Sequence, residues 1–515
     1  MKVKANSGRH FASFFLDEPE LVFGESDRHV DPKMGLTLFG PAIFSENQFP
    51  LPSSINVGII GTDETIALAE DWLKKCQQGV PGSDESRDLV PPFPGFSKVF
   101  GCRLVVFEGW KEILTVQEID TAIRTEYFGH RVRRAARLFV EKLQNLSERE
   151  PAPDVVICAL PQKILDYCGS KRGDPRHRAR LTGQERELLR VIEENRLTGQ
   201  QTLFPFSENE LGLDFLPQAS NFRRILKGEA MSTGLPTQLA RPSTFTGQDK
   251  GRPIMQHEAT RAWNFCVALY YKGGGYPWRM ADAPAGTCYV GISFYKDPHI
   301  TQRGIGTSMA QVFTHTGEGL VLRGARAEWD EVTRSPHMSR DGALKLLSDA
   351  MKLYDRQMHQ KPQRIVVHKT SRFWPEELEG FLKAANDVHQ HDFVSIADPS
   401  RGIRFMRKGK YPPLRGSVIK LSEDNALVYT TGYVPFLKTY PGPRIPRPLE
   451  ILEHEGDSSI PRISREILAL SKMNWNTADF SSSLPITVAF AREVGKILAE
   501  VPEGKDPQTQ YRYYM

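Results

Sequence analysis

NFRRILKGEAMSTGLPTQLARP (residues 221–242) and HEATRAWNFCVALYYKGGGYPW (residues 257–278) are the phrases on which the fold turns. Arg223 and Lys227 are four positions apart in a segment of helical periodicity, so both project from one face over one turn. After Gly234 a short strand, Pro236 to Ala240, carries the amide of Gln238 alongside. The second phrase reads as a helix with Trp263, Val267 and Tyr270 as its apolar stripe, Lys272 in its last turn and the glycines from Gly273 as its stop. Three cations and an amide on consecutive elements suit a terminal phosphate, which carries about −1.5 to −2 charges and three acceptor oxygens. Solvated surface cations are the plainer reading, and spacing leaves both open.

Upstream, apolar strands alternate with amphipathic helices: INVGIIGT from Ile55, a helix over Glu64 to Lys75, a strand at Arg103 to Phe107, a helical stretch from Val116 to Leu143, and DVVICALP from Asp154. That alternation predicts a parallel, doubly wound α/β sheet. No GxGxxG or GxxxxGK[ST] follows any of these strands, which disfavours a dinucleotide enzyme and leaves side chains to hold a phosphate. Residues 1–50 mix strand-like pieces, Glu20 to Phe23 and Leu36 to Phe39, with turn residues. Between Cys168 and Gln201 a basic stretch offers Lys171, Arg172, Arg176, Arg178 and Arg180, either as a solvated loop or as a clamp on a nucleic-acid backbone.

Downstream, TCYVGISFYKD from Thr287, SMAQVFTH and LVLRGARAEW read as three strands of a meander. A helix over Ser339 to Gln360, strand RIVVHK from Arg364, a helix over Pro375 to His389 and strand FVSIAD follow, which is the RNase H-like order. His389 and His391, two apart on the expected helix, make a poor zinc pair. GIRFMRKGKYPPLRG offers Arg404, Arg407, Lys408, Lys410 and Arg415 on an expected hairpin, as a duplex or partner contact or as an unliganded surface.

The chain of 515 residues, 40% hydrophobic and 25% charged, is long enough for two to four domains. A net charge of +5 permits local nucleic-acid contacts without announcing them. Six scattered cysteines with no CxxC pair read as reduced core thiols, and the N-terminus lacks an apolar leader, so the expected compartment is the cytoplasm.

Arg-x3-Lys, then Gln, then a helix ending Lys-Gly-Gly before Pro-Trp resembles the guide 5′-phosphate pocket of the Argonaute MID domain. DPKMGLTLFGP (31–41), VYTTGYVPF (428–436), PRIPRPLEI (443–451) and SKMNWNTADFSSSLPITVAFAREVGKIL (471–498) resemble Argonaute sequences too, so that the likeness covers nearly the whole chain. It implies a lead-in over residues 1–50, a Rossmann-like MID domain over 51–280 and an RNase H-like PIWI domain over 281–515. The implied pocket is Arg223, Lys227, Gln238 and Lys272, with Asn264 behind. Arg223 stands where many members carry a Tyr that stacks on the first base, and a guanidinium plane can stack there as well. Ala268 replaces a further Lys, so the pocket would lean on Arg223 or on a magnesium ion shared with the terminal carboxylate of Met515.

An RNase H-type slicer needs several carboxylates to hold two divalent ions. At the implied positions the chain has Ser293 and Thr370, with no ligand-type side chain at Leu484 to Thr487; a misaligned reading would substitute Asp297. About 50 residues before the first Rossmann-like strand leave no room for a PAZ domain, so the chain resembles the short prokaryotic Argonautes. The resemblance implies an inactive PIWI domain, a guide RNA and a single-stranded DNA target. It also implies a heterodimeric partner carrying an APAZ domain fused to a TIR-type, sirtuin-like or nuclease effector, and a larger assembly once activated, in defence against phage and plasmids. An active guide-dependent nuclease is the alternative.

Overall fold

Strand Ser54–Gly61 carries Ile55, Val57, Ile59 and Ile60, each fully buried. A strand apolar on both faces needs cover on both, and parallel pairing with crossover helices supplies it. In the computed structural model this strand pairs in parallel with Arg103–Ile113 on one side and Val155–Ala159 on the other, and Thr237–Ala240 pairs in parallel beyond Val155–Ala159. The model describes residues 11–44, 51–85, 88–125, 128–169, 221–254, 256–294, 308–314, 317, 319–324, 327–330, 335–397, 412–442, 445–501 and 505–515. Helix Asp63–Gln78 starts at a capping box made by Thr62 and Thr65. The single helical stretch expected over Val116 to Leu143 is two helices, Val116–Ile123 and Phe128–Ser147.

The second sheet has nine strands. Thr287–Phe294 pairs antiparallel with Ser308–Phe313, which pairs antiparallel with Gly319–Arg323. On its other side it is parallel to Arg364–Lys369, and that strand to Gln390–Ala397. Chain order across the sheet is thus third, second, first, fourth, fifth, the RNase H-like arrangement. Side chains alternate between its faces. Cys288, Val290, Ile292, Ile365 and Val367 pack under helices Arg340–Met358 and Pro375–Ala384. Tyr289 and Val366 point the other way, into the core that holds Val494 and Ile497 of helix Ile486–Leu498. That helix lies so close that a Cβ on Gly291 would stand 1.9 Å from the Thr487 carbonyl oxygen. His391 lies on strand Gln390–Ala397 rather than on a helix, since the preceding helix ends at Ala384.

At the start of Arg364–Lys369, the Arg364 guanidinium donates to Asp392 Oδ2 at 2.6 Å and to Glu466 Oε1 at 2.6 Å, with Ser458 and His454 completing the shell around Asp392. Burial would raise the Asp392 carboxyl, but hydrogen bonds from His454, Ser458 and Arg364 outweigh it and hold it at about 2.

Residues 11–44 are woven into the molecule. Ala12–Phe15 forms the outer strand of the nine-stranded sheet by pairing with Ser417–Lys420, and Leu21–Phe23 pairs with Arg279–Met280. Leu36 to Phe39, expected as a strand, lies in helix Pro32–Phe39, because Asp31 caps it by accepting from Met34 N at 2.9 Å and Pro32 fits the first turn. Arg415 is no surface contact: it is 2% exposed, and its Nε donates to the Glu18 carboxylate at 2.9 and 3.0 Å. Lys472 Nζ reaches the same carboxylate at 2.9 Å. Burial raises the Glu18 carboxyl, but these two cations outweigh it and leave it below the ordinary range.

All six cysteines are free and buried. Among the described residues no helix is long and apolar enough to cross a membrane. Arg176, Arg178 and the rest of the first basic stretch, like Arg404, Arg407, Lys408 and Lys410, lie outside the described residues.

Candidate functional site

Asn221 caps helix Phe222–Ala230 by accepting from Arg224 N at 3.2 Å, and Ile225 and Leu226 bury its inner face. Its outer path is set by Gly228, where a Cβ would stand 2.8 Å from the Glu500 backbone. Strand Thr237–Ala240 brings Gln238 alongside, and helix Glu258–Lys272, buried along most of its length, brings Asn264 and Lys272.

These elements frame a cavity of about 660 Å³ just past the ends of strands Val155–Ala159 and Thr237–Ala240. Open α/β sheets hold ligands at the carboxyl ends of their strands, near the point where strand order reverses. Arg223, Gln238, Asn264, Lys272 and Met515, chosen from sequence, all line it. Lys227 does not: it is 1% exposed, stands behind the wall and donates through Nζ to the Thr237 carbonyl. Arg241, which the sequence reading missed, also lines the cavity, directly after Thr237–Ala240. The strand-end rule would have found it.

The electrostatics are one-sided. Lys272, 3% exposed, donates to Gln238 Oε1, and Arg223 Nη2 donates to the Tyr514 carbonyl at 3.1 Å. Burial, then the Arg223 charge, pushes the Lys272 ammonium down to about 7. Burial, then Lys272 and Arg223, carries Lys227 well below the ordinary range for lysine. Asn264 is partly structural, since its Oδ1 accepts from Ala478 N at 2.8 Å.

Magnesium prefers near-octahedral oxygen ligands. The Gln238 and Asn264 oxygens already accept hydrogen bonds and Asp166 is paired with Lys250 at 2.9 Å, which leaves Asp249 and Met515 as the other oxygen-bearing acids along the wall.

Ser293 and Thr370 each follow the last registered pair of two parallel strands, Ile292 with Lys369. By alternation Ser293 faces helix Ile486–Leu498, as does His368, whose Nδ1 lies 2.8 Å from Thr487 Oγ1. The Leu484 to Thr487 region therefore reaches the same place. Burial, then the Arg364 charge, holds the His368 imidazole at about 3, hence neutral. Lys369 points to the opposite face and is paired with Glu377, both fully buried. Among the described residues no group of three or more His, Cys, Asp or Glu could hold a metal; Asp297 lies outside them.

A doubly wound sheet with a cavity at its strand ends, joined to an RNase H-like sheet, is the fold of Argonaute and PIWI proteins, and the chain has that fold. No family model matches it. It is 24% identical over 279 residues to the "Protein argonaute" of Aquifex aeolicus (strain VF5), a match covering 53% of this chain and 35% of that one. It superposes on Clostridium butyricum Argonaute bound to a guide DNA (5′ deoxycytidine) and a 19-mer target DNA with a TM-score of 0.60 and 16% identity, over 97% of this chain and 54% of that one. For Marinitoga piezophila Argonaute in complex with a 5′ OH guide RNA the TM-score is 0.52 with 12% identity, over 95% and 60%. The chain thus spans about a third of the curated relative's length and little more than half of the solved chains.

Proposed function

We propose that the chain is the guide-binding, non-cleaving subunit of a short-Argonaute pair. It holds the 5′ phosphate of a guide RNA at Arg223, Gln238 and Lys272, with Lys227 buried behind them. It pairs the guide with single-stranded target DNA along the RNase H-like half, and activates an APAZ-effector partner in defence. The observation that supports this most is the collection of three buried or half-buried cations at the carboxyl ends of the first sheet, where a dianion compensates them. Serine and threonine at positions 293 and 370 support the non-cleaving part, since neither side chain supplies the charge that a two-metal site needs.

Binding of 5′-phosphorylated and 5′-hydroxyl RNA by wild type and Lys272→Ala tests the seat. The variant is expected to lose about 1.5–3 kcal/mol for the phosphorylated strand, one charge-assisted hydrogen bond, and little for the hydroxyl strand. Equal discrimination by the two proteins would refute the assignment. Cleavage of complementary DNA by the guide-loaded protein with Mn2+ would refute the non-cleaving part and favour an active nuclease.

A further inference from the structure

The cavity gathers more basic side chains than carboxylates pair with them, and that bears on how it recognises an end. The groups that face Lys272 come from each neighbouring element: Arg223 and Lys227 on helix Phe222–Ala230, Cys158 on strand Val155–Ala159 and the Gln238 amide on strand Thr237–Ala240. Further along the wall Asp166 is paired with Lys250, Asp249 and the acid end at Met515 line the same cavity, Arg241 is exposed, and Arg261 lies near Glu258; none of these acids is paired with Lys272 among the described residues. Glu493 on helix Ile486–Leu498 and Tyr511 near the carboxyl end sense Arg223. No carboxylate is paired with Lys227 or Lys272 among the described residues. Gln238 gives its oxygen to Lys272, and its amide nitrogen makes no hydrogen bond among the described residues, so it is positioned to donate.

Resting on the reading of this cavity as a 5′-phosphate seat, we propose that it tells a terminal phosphate from a terminal hydroxyl by proton uptake, Lys272 taking a proton from the buffer as the dianion docks. The phosphate supplies the missing negative partner. The ammonium then becomes the stable form, and one buffer acid loses its proton for each strand bound. A hydroxyl end brings no such charge and draws no proton. The low proton affinity of Lys272 in this surrounding, about 7 against an ordinary value of 10.5, supports the same conclusion.

Calorimetry of RNA binding to the wild-type protein at pH 8, in two buffers of different ionisation heat, reads the uptake directly. The terminal phosphate is itself dianionic there, its second pKa being about 6, and adds nothing. The expected result is about one proton per 5′-phosphorylated strand and none per 5′-hydroxyl strand, with affinity for the former falling about tenfold per pH unit between 7.5 and 9. Lys272→Arg, charged throughout, is expected to keep the preference for phosphate and lose the pH slope. Buffer-independent heats with the preference intact would overturn the proposal and leave the seat standing. Equal uptake with both strands would also overturn it. Equal affinity for the two strands at every pH would remove the seat, and the proposal with it.

Discussion

Lys227 is a buried lysine whose polar contact among the described residues is a backbone carbonyl, with two further basic groups nearby. Burying a charge without an opposite partner is unfavourable, and replacing it by an apolar group of similar length relieves that. Lys227→Met should therefore stabilise the protein without RNA by about 1–3 kcal/mol at pH 7, seen as a higher melting temperature. Because the folded-state pKa lies below the unfolded one, the unfolded chain binds more protons in between. Wild-type stability should rise with pH across that window and the gap to the variant close toward pH 10; a gap constant with pH would contradict this. Asp392 behaves as a depressed acid. Its contribution is present above its ordinary value of 3.8 and is lost as pH falls to about 2, so Asp392→Asn should flatten the acid limb of stability followed by circular dichroism.

Helix Ile486–Leu498 joins the two candidate sites. Thr487 near one end meets Gly291 and His368, and Glu500 just past the other end meets Gly228 on the seat helix. Gly291→Ala should lift the helix from the sheet and destabilise the fold by about 1–3 kcal/mol or more, measurable by urea unfolding; an unchanged midpoint would show that the contact gives way easily. Much of the seat was legible in sequence: the Gly273 stop fixes Lys272 in a last turn, and helical spacing puts Arg223 and Lys227 on one face. Spacing fixes a face but not a depth, so the withdrawal of Lys227 behind the wall was not readable. Helix Pro32–Phe39 departs from the strand that the apolar Leu36 and Phe39 predict because the Asp31 cap and Pro32 start a helix there.

Over the whole molecule, the alternation of apolar strands and amphipathic helices made both sheets legible, while contacts between distant segments were not. Glu18 and Arg415 are 397 residues apart, and nothing local marks either as the other's partner. The amino-terminal segment spans both halves. It adds a strand to the second sheet, sets its carboxylate between Arg415 and Lys472, and pairs with Arg279–Met280 where the halves join. Trp278 Nε1 donates to the Lys472 carbonyl at 3.0 Å at the same junction. Glu18→Gln, which leaves two buried cations without their counter-charge, should cost about 3–5 kcal/mol. Chemical denaturation checks it, and a loss under about 1 kcal/mol would mean that water reaches those cations.

Met515 lines the same cavity as Arg223, and Arg223 grips the carbonyl just before it. On the proposed reading, a seated strand covers the surface on which Tyr511 to Met515 lie and shields that segment from protease. Resistance of that tyrosine-rich segment to digestion would then be a label-free gauge of how much of a preparation carries a strand.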